Sequence, residues 1–179
     1  MSAPIDGPFA LWLAPAEEPR RELRRIIERL AGRFGAPAFE PHATLCSGES
    51  PMPSDDPGRA LDELGRAFGP ISLAVEGIGW TDDYFQFFFI KLADDGPRGI
   101  FRRAGSRIAG THSPVVGPHL SLVYADRESI DRAALERELA PRLPARIAFD
   151  AIRLVMPSKD GWRDISRWEI RRSVSLSAA

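Results

Sequence analysis

The sequence contains one cysteine, two lysines and no long hydrophobic run among its 179 residues. Cys46 cannot form an internal disulfide, which excludes a scaffold stabilised by disulfides. The densest apolar run, 85–90, is interrupted by Gln86 and is far shorter than the roughly 20 residues that cross a bilayer. Residues 1–7 lack the basic and then apolar pattern of a signal peptide. We therefore expect a cytoplasmic protein that does not associate with membranes.

Neither sign of charge is in excess, because 24 basic residues face 25 acidic ones and the formal net charge is −1. Proteins that bind duplex DNA or anionic membranes usually carry a basic excess, so we expect neither as a partner. The sequence also lacks the glycine spacings that hold phosphates in ATP-binding loops and dinucleotide folds. ATP chemistry is therefore not expected.

What is present is an average globular composition, with 44% hydrophobic and 27% charged residues. The length matches one domain, which we place over residues 1–179. Apolar periodicity, turn residues and helix-capping residues such as Ser129 predict a mixture of helices and strands, with a loose end at 173–179. The predicted strands are 9–13, 38–46, 71–80, 84–92, 119–124, 147–156 and 162–170, and the predicted helices are 19–34, 60–68, 97–108 and 130–139.

One order of elements occurs twice, which indicates an internal repeat. A strand, a helix and a strand span 9–46 and again 84–124. The second strand of each copy contains a similar phrase, Pro-His-Ala-Thr-Leu at 41–45 and Pro-His-Leu-Ser-Leu at 118–122. The simplest explanation is a duplicated unit with one histidine motif in each half.

Side chains alternate across a strand, so the histidine and the hydroxyl residue of each motif share one face. The first motif presents His42 and Thr44 on that face, and the second presents His119 and Ser121. The apolar residues between them are free to pack against helices. This pattern predicts a site on rigid strands that faces an open cleft.

Two imidazoles across a cleft can divide proton transfer between them, one as general base and the other as general acid. Cleavage of a phosphodiester needs this pair, together with hydrogen bonds to the non-bridging phosphate oxygens. Thr44 and Ser121 are suited to give those bonds. A metal site is not expected, because two histidines without neighbouring carboxylates do not provide three convergent ligands.

Two other residues have less support as site residues. His112 lacks the strand context of the other histidines, and we assign it to a loop without a role. Cys46 shares the face of His42 and Thr44 by strand parity, so a thiol nucleophile is one interpretation. The other is a small buried residue at the end of a strand, which is commoner.

Three phrases carry a family resemblance: 11–13, 39–45 and 118–124. With them the chain resembles the two-histidine phosphoesterases and, within these, the cyclic phosphodiesterase branch. The resemblance implies an α+β fold with two lobes, each a mostly antiparallel sheet with helices outside, facing a central cleft. It implies metal-independent hydrolysis, without a cofactor, of nucleoside 2′,3′-cyclic phosphates or ADP-ribose 1″,2″-cyclic phosphate to phosphomonoesters.

By position, the resemblance implies His42 and His119 as the acid/base pair, Thr44 and Ser121 as phosphate ligands, and Tyr124 as an aromatic residue near the substrate. Parity turns Tyr124 away from His119, so that role requires the strand to end or twist there. The motifs do not distinguish the base from the acid, nor do they identify the bond that breaks.

The same motifs are compatible with two further functions, namely processing or 2′–5′ joining of RNA ends, and non-catalytic binding of nucleotides or RNA ends. Intact histidines and hydroxyls in both copies favour catalysis, and the balanced charge favours a small cyclic nucleotide over long RNA. A monomer is the default expectation. The tryptophans and the 85–89 aromatic run are interpreted as core residues, of which one or two could stack on a nucleobase.

Overall fold

The structure is a computed structural model that describes residues 7–50, 57–107, 111–114, 116–126 and 130–177. It is an α+β fold with four helices and seven strands in the described chain. The helices are α1 (Glu17–Phe34), α2 (Pro57–Ala67), α3 (Ile100–Arg107) and α4 (Arg132–Leu139). The strands are β1 (Gly7–Pro15), β2 (Ala43–Ser50), β3 (Ile71–Gly79), β4 (Phe88–Leu92), β5 (His119–Val123), β6 (Arg146–Met156) and β7 (Glu169–Ser175). Over these residues no helix is both long and apolar enough to cross a membrane.

The strands pair antiparallel in the order β1-β2-β5-β4-β3-β6-β7. Strand β6 also pairs with β1, from Ala10 opposite Val155 to Pro15 opposite Phe149. The β1–β6 pairing therefore closes six of the strands into a ring. Strand β7 pairs with β6 and is not part of this ring. As predicted, β4 is a central strand, and Phe88, Phe89 and Ile90 are all buried.

Helix α1 forms where the spacing of apolar residues predicted a helix. Its buried residues Leu23, Ile27 and Leu30 recur every three or four positions and form one apolar face. The helix ends at Gly35, which adopts a left-handed conformation with φ 59° and donates its backbone N–H to Ala31. The sequence predicted this end correctly, and the helix begins two residues earlier than expected.

The two repeated units are related across β2 and β5. Ala43 pairs directly with Leu120 between these strands. Helix α1, from the first unit, contacts β5 of the second, and α3, from the second unit, contacts β2 of the first. Each helix therefore covers the histidine strand of the other unit on its core side.

Several predicted boundaries shift. Strand β2 begins at Ala43, so His42 lies immediately before it and not inside it. Residues Tyr84–Gln86 form a 3₁₀ turn, and the predicted strand starts only at Phe88. Helix α4 is capped by Asp131, whose side chain accepts the N–H of Ala134. The predicted cap Ser129 and the predicted helix residue 108 lie outside the described residues.

The C-terminal prediction was wrong in two ways. The strand predicted over 162–170 starts only at Glu169, where β7 begins. The segment 162–168 is instead a loop with a 3₁₀ turn at Ile165–Arg167. The expected loose end is ordered as far as 177. Leu176 is buried and donates its N–H to Asp150, and Ser177 donates to Gly65.

Candidate active site

A cavity of about 290 Å³ opens above the paired ends of β2 and β5. This volume lies near the lower end of the range typical of small-molecule sites. All five residues that the sequence analysis placed in the site line it. The lining consists of Ala10, Trp12, His42, Thr44, Ser47, Phe85, Gln86, His112, Ser113, Pro114, His119, Ser121, Tyr124, Trp162 and Trp168.

The register of β2 and β5 explains how the two motifs meet. With Ala43 opposite Leu120, antiparallel pairing puts His42 opposite Ser121 and Thr44 opposite His119. Ala43 and Leu120 point into the core and are fully buried. The two histidines and two hydroxyl residues therefore occupy one face, with each histidine beside the hydroxyl residue of the other motif.

The two histidines are held in the same way. Nδ1 of His42 lies 2.6 Å from the carbonyl of Glu40, and Nδ1 of His119 lies 2.9 Å from the carbonyl of Gly117. A carbonyl only accepts, so Nδ1 carries the proton in both rings. Each histidine is therefore anchored by the residue two positions before it, and Nε2 is left for proton transfer.

Both imidazoles are buried, at 5% and 7% exposure. His42 stacks on Trp12, with ring centroids 3.6 Å apart and planes 10° apart. Burial lowers the pKa of His42 from 6.5 to about 3, against the hydrogen bond to Glu40, and the charges of His119 and Arg153 lower it further. Burial also lowers the pKa of His119, and the hydrogen bond to Gly117 opposes that effect.

A small ion-pair cluster lies behind His42. The Glu40 carboxylate bonds to Arg24 and lies 3.7 Å from Arg153. Arg153 is opposite Trp12 in the β1–β6 pairing and is mostly buried. The residue whose carbonyl holds His42 is thus itself fixed by two arginines.

The two hydroxyls differ in their present partners. Ser121 donates to the carbonyl of Phe85 at 3.0 Å and is 4% exposed. Thr44 is half-buried and its hydroxyl has no partner among the described residues. Thr44 is therefore free to bond a ligand, whereas Ser121 must first turn from Phe85 to donate to one.

Tyr124 meets the condition set by strand parity, because β5 ends at Val123. Its hydroxyl oxygen lies 3.5 Å from Nε2 of His42, at the outer limit of a hydrogen bond. Its ring stacks on Phe39 with centroids 4.0 Å apart. Burial raises the pKa of the phenol, so Tyr124 stays protonated and can donate into the cavity.

Cys46 does not share the cavity face, contrary to simple parity. On β1, Leu11 pairs with Cys46 and the next residue, Trp12, pairs with Thr44, so β2 has one extra residue at this point. The bulge puts both Leu45 and Cys46 in the core, where they are fully buried. Burial raises the pKa of the Cys46 thiol to about 12, which removes it as a nucleophile at neutral pH.

Sequence reasoning missed a histidine of the cavity wall. His112 lies in the lining, although the sequence analysis gave it no role. Its segment pairs with Ser47 by two backbone hydrogen bonds, of 2.9 and 2.7 Å. Such a pairing between residues 65 positions apart leaves no local signal in the sequence.

The aromatic wall gathers around Trp168, which lies next to His42. The Trp168 ring centroid is 5.3 Å from that of Trp12, 5.9 Å from Tyr124 and 5.8 Å from Trp162. Trp168 donates its ring N–H to the Trp162 carbonyl at 2.8 Å. The loop that was predicted to be a strand therefore supplies this wall.

No three His, Cys, Asp or Glu side chains of the described residues lie together in a group that could hold a metal ion. The lining residues within the same ranges include three histidines and no aspartate, glutamate, lysine or arginine. The chemical groups that this part of the chain offers a ligand are imidazoles, hydroxyls, one amide and aromatic rings.

Comparison with solved structures confirms the fold. Escherichia coli LigT in complex with 3′-AMP is 16% identical, with a TM-score of 0.56 over 97% of this chain and 99% of that one. The same protein in complex with NADP+ gives a TM-score of 0.58 at 15% identity, over 96% of this chain and 99% of that one. At such low identity the likeness shows the fold alone.

Comparison of sequences shows the family. The family described as cyclic phosphodiesterase-like protein matches residues 8–96. A protein of Arabidopsis thaliana named cyclic phosphodiesterase is 24% identical over 123 residues, 66% of this chain and 65% of its own length. A protein of Phaeosphaeria nodorum named 2′,3′-cyclic-nucleotide 3′-phosphodiesterase is 31% identical over 143 residues, 70% of this chain and 73% of its own. With its paired histidine motifs meeting across β2 and β5, the chain belongs to the cyclic phosphodiesterase-like family of two-histidine phosphoesterases.

Proposed function

We propose that this protein hydrolyses cyclic phosphodiesters of small nucleotides to phosphomonoesters, with His42 and His119 as the acid/base pair. The observation that carries the proposal is the arrangement of two histidines and two hydroxyl residues on one face, around the pairing of Ala43 with Leu120. Membership of the cyclic phosphodiesterase-like family supports the same reaction.

The reaction transfers two protons. Water attacks phosphorus and gives a proton to Nε2 of one histidine, while Nε2 of the other gives a proton to the leaving ring oxygen. One P–O bond forms and one breaks, and the product is a phosphomonoester. The matching Nδ1 bonds to Glu40 and Gly117 keep both Nε2 atoms available for these transfers.

His42 is the better candidate for the base. A base must be neutral before reaction, and the pKa of His42, lowered to about 3, keeps it neutral at any ordinary pH. Nε2 of His42 is also the atom next to the Tyr124 hydroxyl, as suits an unprotonated nitrogen. His119 then acts as the acid. Its protonated form is favoured when an anionic phosphate enters the cavity.

Thr44 and Ser121 are proposed to donate to the non-bridging oxygens, where negative charge increases as water attacks. Thr44 has no competing partner among the described residues, and Ser121 exchanges the Phe85 carbonyl for the phosphate. Tyr124 is proposed as a third donor on the His42 side. Among the described residues no lysine or arginine lies around the two histidines and two hydroxyls, so the position of the reacting phosphate suits the single charge of a cyclic diester better than the double charge of a monoester.

The proposed unit is one two-lobed catalytic domain over residues 1–179 that acts as a monomer. Each repeated unit supplies one histidine and one hydroxyl residue, so neither half of the chain holds the pair alone. The same chain supplies all five proposed site residues, so a second copy is not needed to complete the set.

The test is hydrolysis of 2′,3′-cyclic AMP in the presence of EDTA, with the 2′- and 3′-monophosphates measured separately. The wild type should be active, and His42→Ala and His119→Ala should each lose about 10²-fold to 10⁴-fold in kcat/KM. Thermal unfolding and circular dichroism of the variants check that the fold is intact. The product ratio identifies the bond that breaks.

Other outcomes would identify the alternatives. Activity that requires a metal ion, or that survives both substitutions, contradicts the proposed mechanism. If cyclic nucleotides are not hydrolysed but RNA with a cyclic phosphate or a 2′–5′ junction is processed, RNA ends are the substrate. Binding of nucleotides or RNA ends without turnover of any of these would indicate a binding module.

A further inference from the structure

The two ends of the cavity differ in chemistry. The aromatic end surrounds His42, where Trp168 lies 6.1 Å from the imidazole and close to Tyr124 and Phe85. The polar end lies beyond Thr44, where β2 continues to Ser47 and Ser47 pairs with the backbone of His112. We call Ser47, His112 and Ser113 the polar end.

His112 stands out at the polar end because its imidazole is exposed and has no hydrogen bond or ion pair within the described chain. Its backbone, in contrast, is fixed by the two bonds to Ser47. The preceding residue, Thr111, donates its hydroxyl to Gly105 at the end of α3, at 3.1 Å. An unpartnered ring on an anchored backbone is suited to bind a ligand.

The other charged and titratable groups of the lining do not compete with His112 for an anion. Besides His112 they are His42, His119 and Tyr124, and burial keeps His42 and Tyr124 uncharged. His119 is engaged with the reacting phosphate in the proposed mechanism. The described lining includes no carboxylate that would repel an anion.

From these observations we infer that His112 binds a second phosphate of the substrate, on the side of the reacting phosphate opposite the nucleobase. This inference rests on the proposed function and makes it more specific. Of the nucleoside 2′,3′-cyclic phosphates that the central residues can accept, the preferred ones carry a 5′-phosphate. Ser47 and Ser113 are the neighbouring hydroxyls available to the same group.

The test compares kcat/KM for 2′,3′-cyclic AMP with and without a 5′-phosphate, in the wild type, His112→Ala and His112→Lys. The wild type should prefer the 5′-phosphorylated substrate by about tenfold, the size expected of one hydrogen bond to a charged group. His112→Ala should reduce that ratio to near one, and His112→Lys, which supplies a cation, should restore it. Arg163→Gln is the matched control, because it removes an exposed positive charge paired with Asp126 outside the lining.

Equal preference in the wild type and His112→Ala would overturn the inference, as would an equal loss of preference in Arg163→Gln. Calorimetry with the product analogues adenosine 2′-monophosphate and adenosine 2′,5′-bisphosphate gives a second measurement that needs no turnover. If the bisphosphate binds more tightly and this difference depends on His112, the inference is supported even when neither substrate is hydrolysed. Failure to hydrolyse either substrate counts against the proposed function and not against the inference. Equal affinity for both analogues overturns the inference directly.

Discussion

Ala43 and Leu120 are directly opposed across β2 and β5, and the candidate site is arranged around that pair. A half-turn about it exchanges the position of His42 with that of His119, and the position of Thr44 with that of Ser121. The environments are less symmetric than the positions, because His42 stacks on Trp12 whereas His119 lies against Phe89. This asymmetry is what allows two equivalent motifs to take different roles.

The first prediction concerns the pH dependence of catalysis. Burial lowers the pKa of both histidines below 6.5. In the free enzyme the acid, His119, is therefore deprotonated as the pH rises through a value below 6.5. kcat/KM should therefore be highest below pH 6.5 and fall by about tenfold per pH unit above the pKa of His119. Bound anionic substrate raises that pKa, so the fall in kcat should begin at higher pH. Profiles from pH 4 to 9 check this, and a maximum of kcat/KM above pH 7 would contradict it.

The second prediction separates the base from the acid. Sulfur at the breaking bridging position leaves as a thiolate and needs little protonation. On such a cyclic substrate, His119→Ala should recover about 10²-fold or more of its lost rate relative to the oxygen substrate, because only the acid is bypassed. His42→Ala should not recover, since water still needs its base. Recovery of His42→Ala in place of His119→Ala would reverse the assignment.

The third prediction concerns stability in acid. A histidine whose pKa is lowered on folding binds its proton more readily when unfolded, so its contribution to stability is lost as pH falls below 6.5 towards about 3. For His42 the loss between pH 6.5 and pH 4 is at most about 3 kcal/mol, at 1.36 kcal/mol per pKa unit. His42→Gln should lose correspondingly less stability over that range. Urea unfolding of both proteins at pH 4 and pH 7 measures the difference.

The fourth prediction tests the aromatic end as a nucleobase subsite. Trp162→Ala should raise KM roughly fivefold to 100-fold, in line with the loss of one base–aromatic stack, and should change kcat much less. Trp80→Ala is the control, because Trp80 is 37% exposed and stacks on Phe88 away from the cavity. A fall in kcat at constant KM in Trp162→Ala would instead indicate that Trp162 supports the chemistry.

The fifth prediction is that Cys46 has no role in the reaction. Its burial and its raised pKa of about 12 should prevent modification of the native protein by thiol reagents. Reaction with a thiol-specific disulfide reagent should appear only after addition of denaturant. Cys46→Ala should keep its activity and lose about 1 kcal/mol of stability. Rapid modification of the native enzyme, accompanied by inactivation, would show the opposite.

The sequence predicted those features that depend on neighbouring residues. The spacing of Leu23, Ile27 and Leu30 predicted α1, and strand alternation placed both histidine motifs on one face. It failed where tertiary contacts decide. A bulge in β2 opposite Leu11 and Trp12 moves Cys46 into the core, and the sequence of β2 contains no residue that predicts this bulge.

Two further failures have the same cause. The segment 162–168 is predicted to be part of a strand, yet it folds as a loop in which Trp168 packs on Trp12 and donates its ring N–H to the carbonyl of Trp162. His112 reaches the cavity only through its pairing with Ser47. Both arrangements depend on residues distant in sequence, which periodicity does not detect.

The closed strand order has a consequence for how the chain acquires its activity. Strand β1 pairs with β6, from Ala10 opposite Val155 to Pro15 opposite Phe149, so β1 cannot complete its pairing until residues about 140 positions later in the chain have been synthesised. Pairings so distant in sequence slow folding, because the chain loses much entropy before they form. The two strands of the histidine motifs, β2 and β5, are members of this ring. A nascent chain that ends before β6 therefore contains both histidines without the closed ring that supports them. Activity should therefore appear only after β6 has been synthesised.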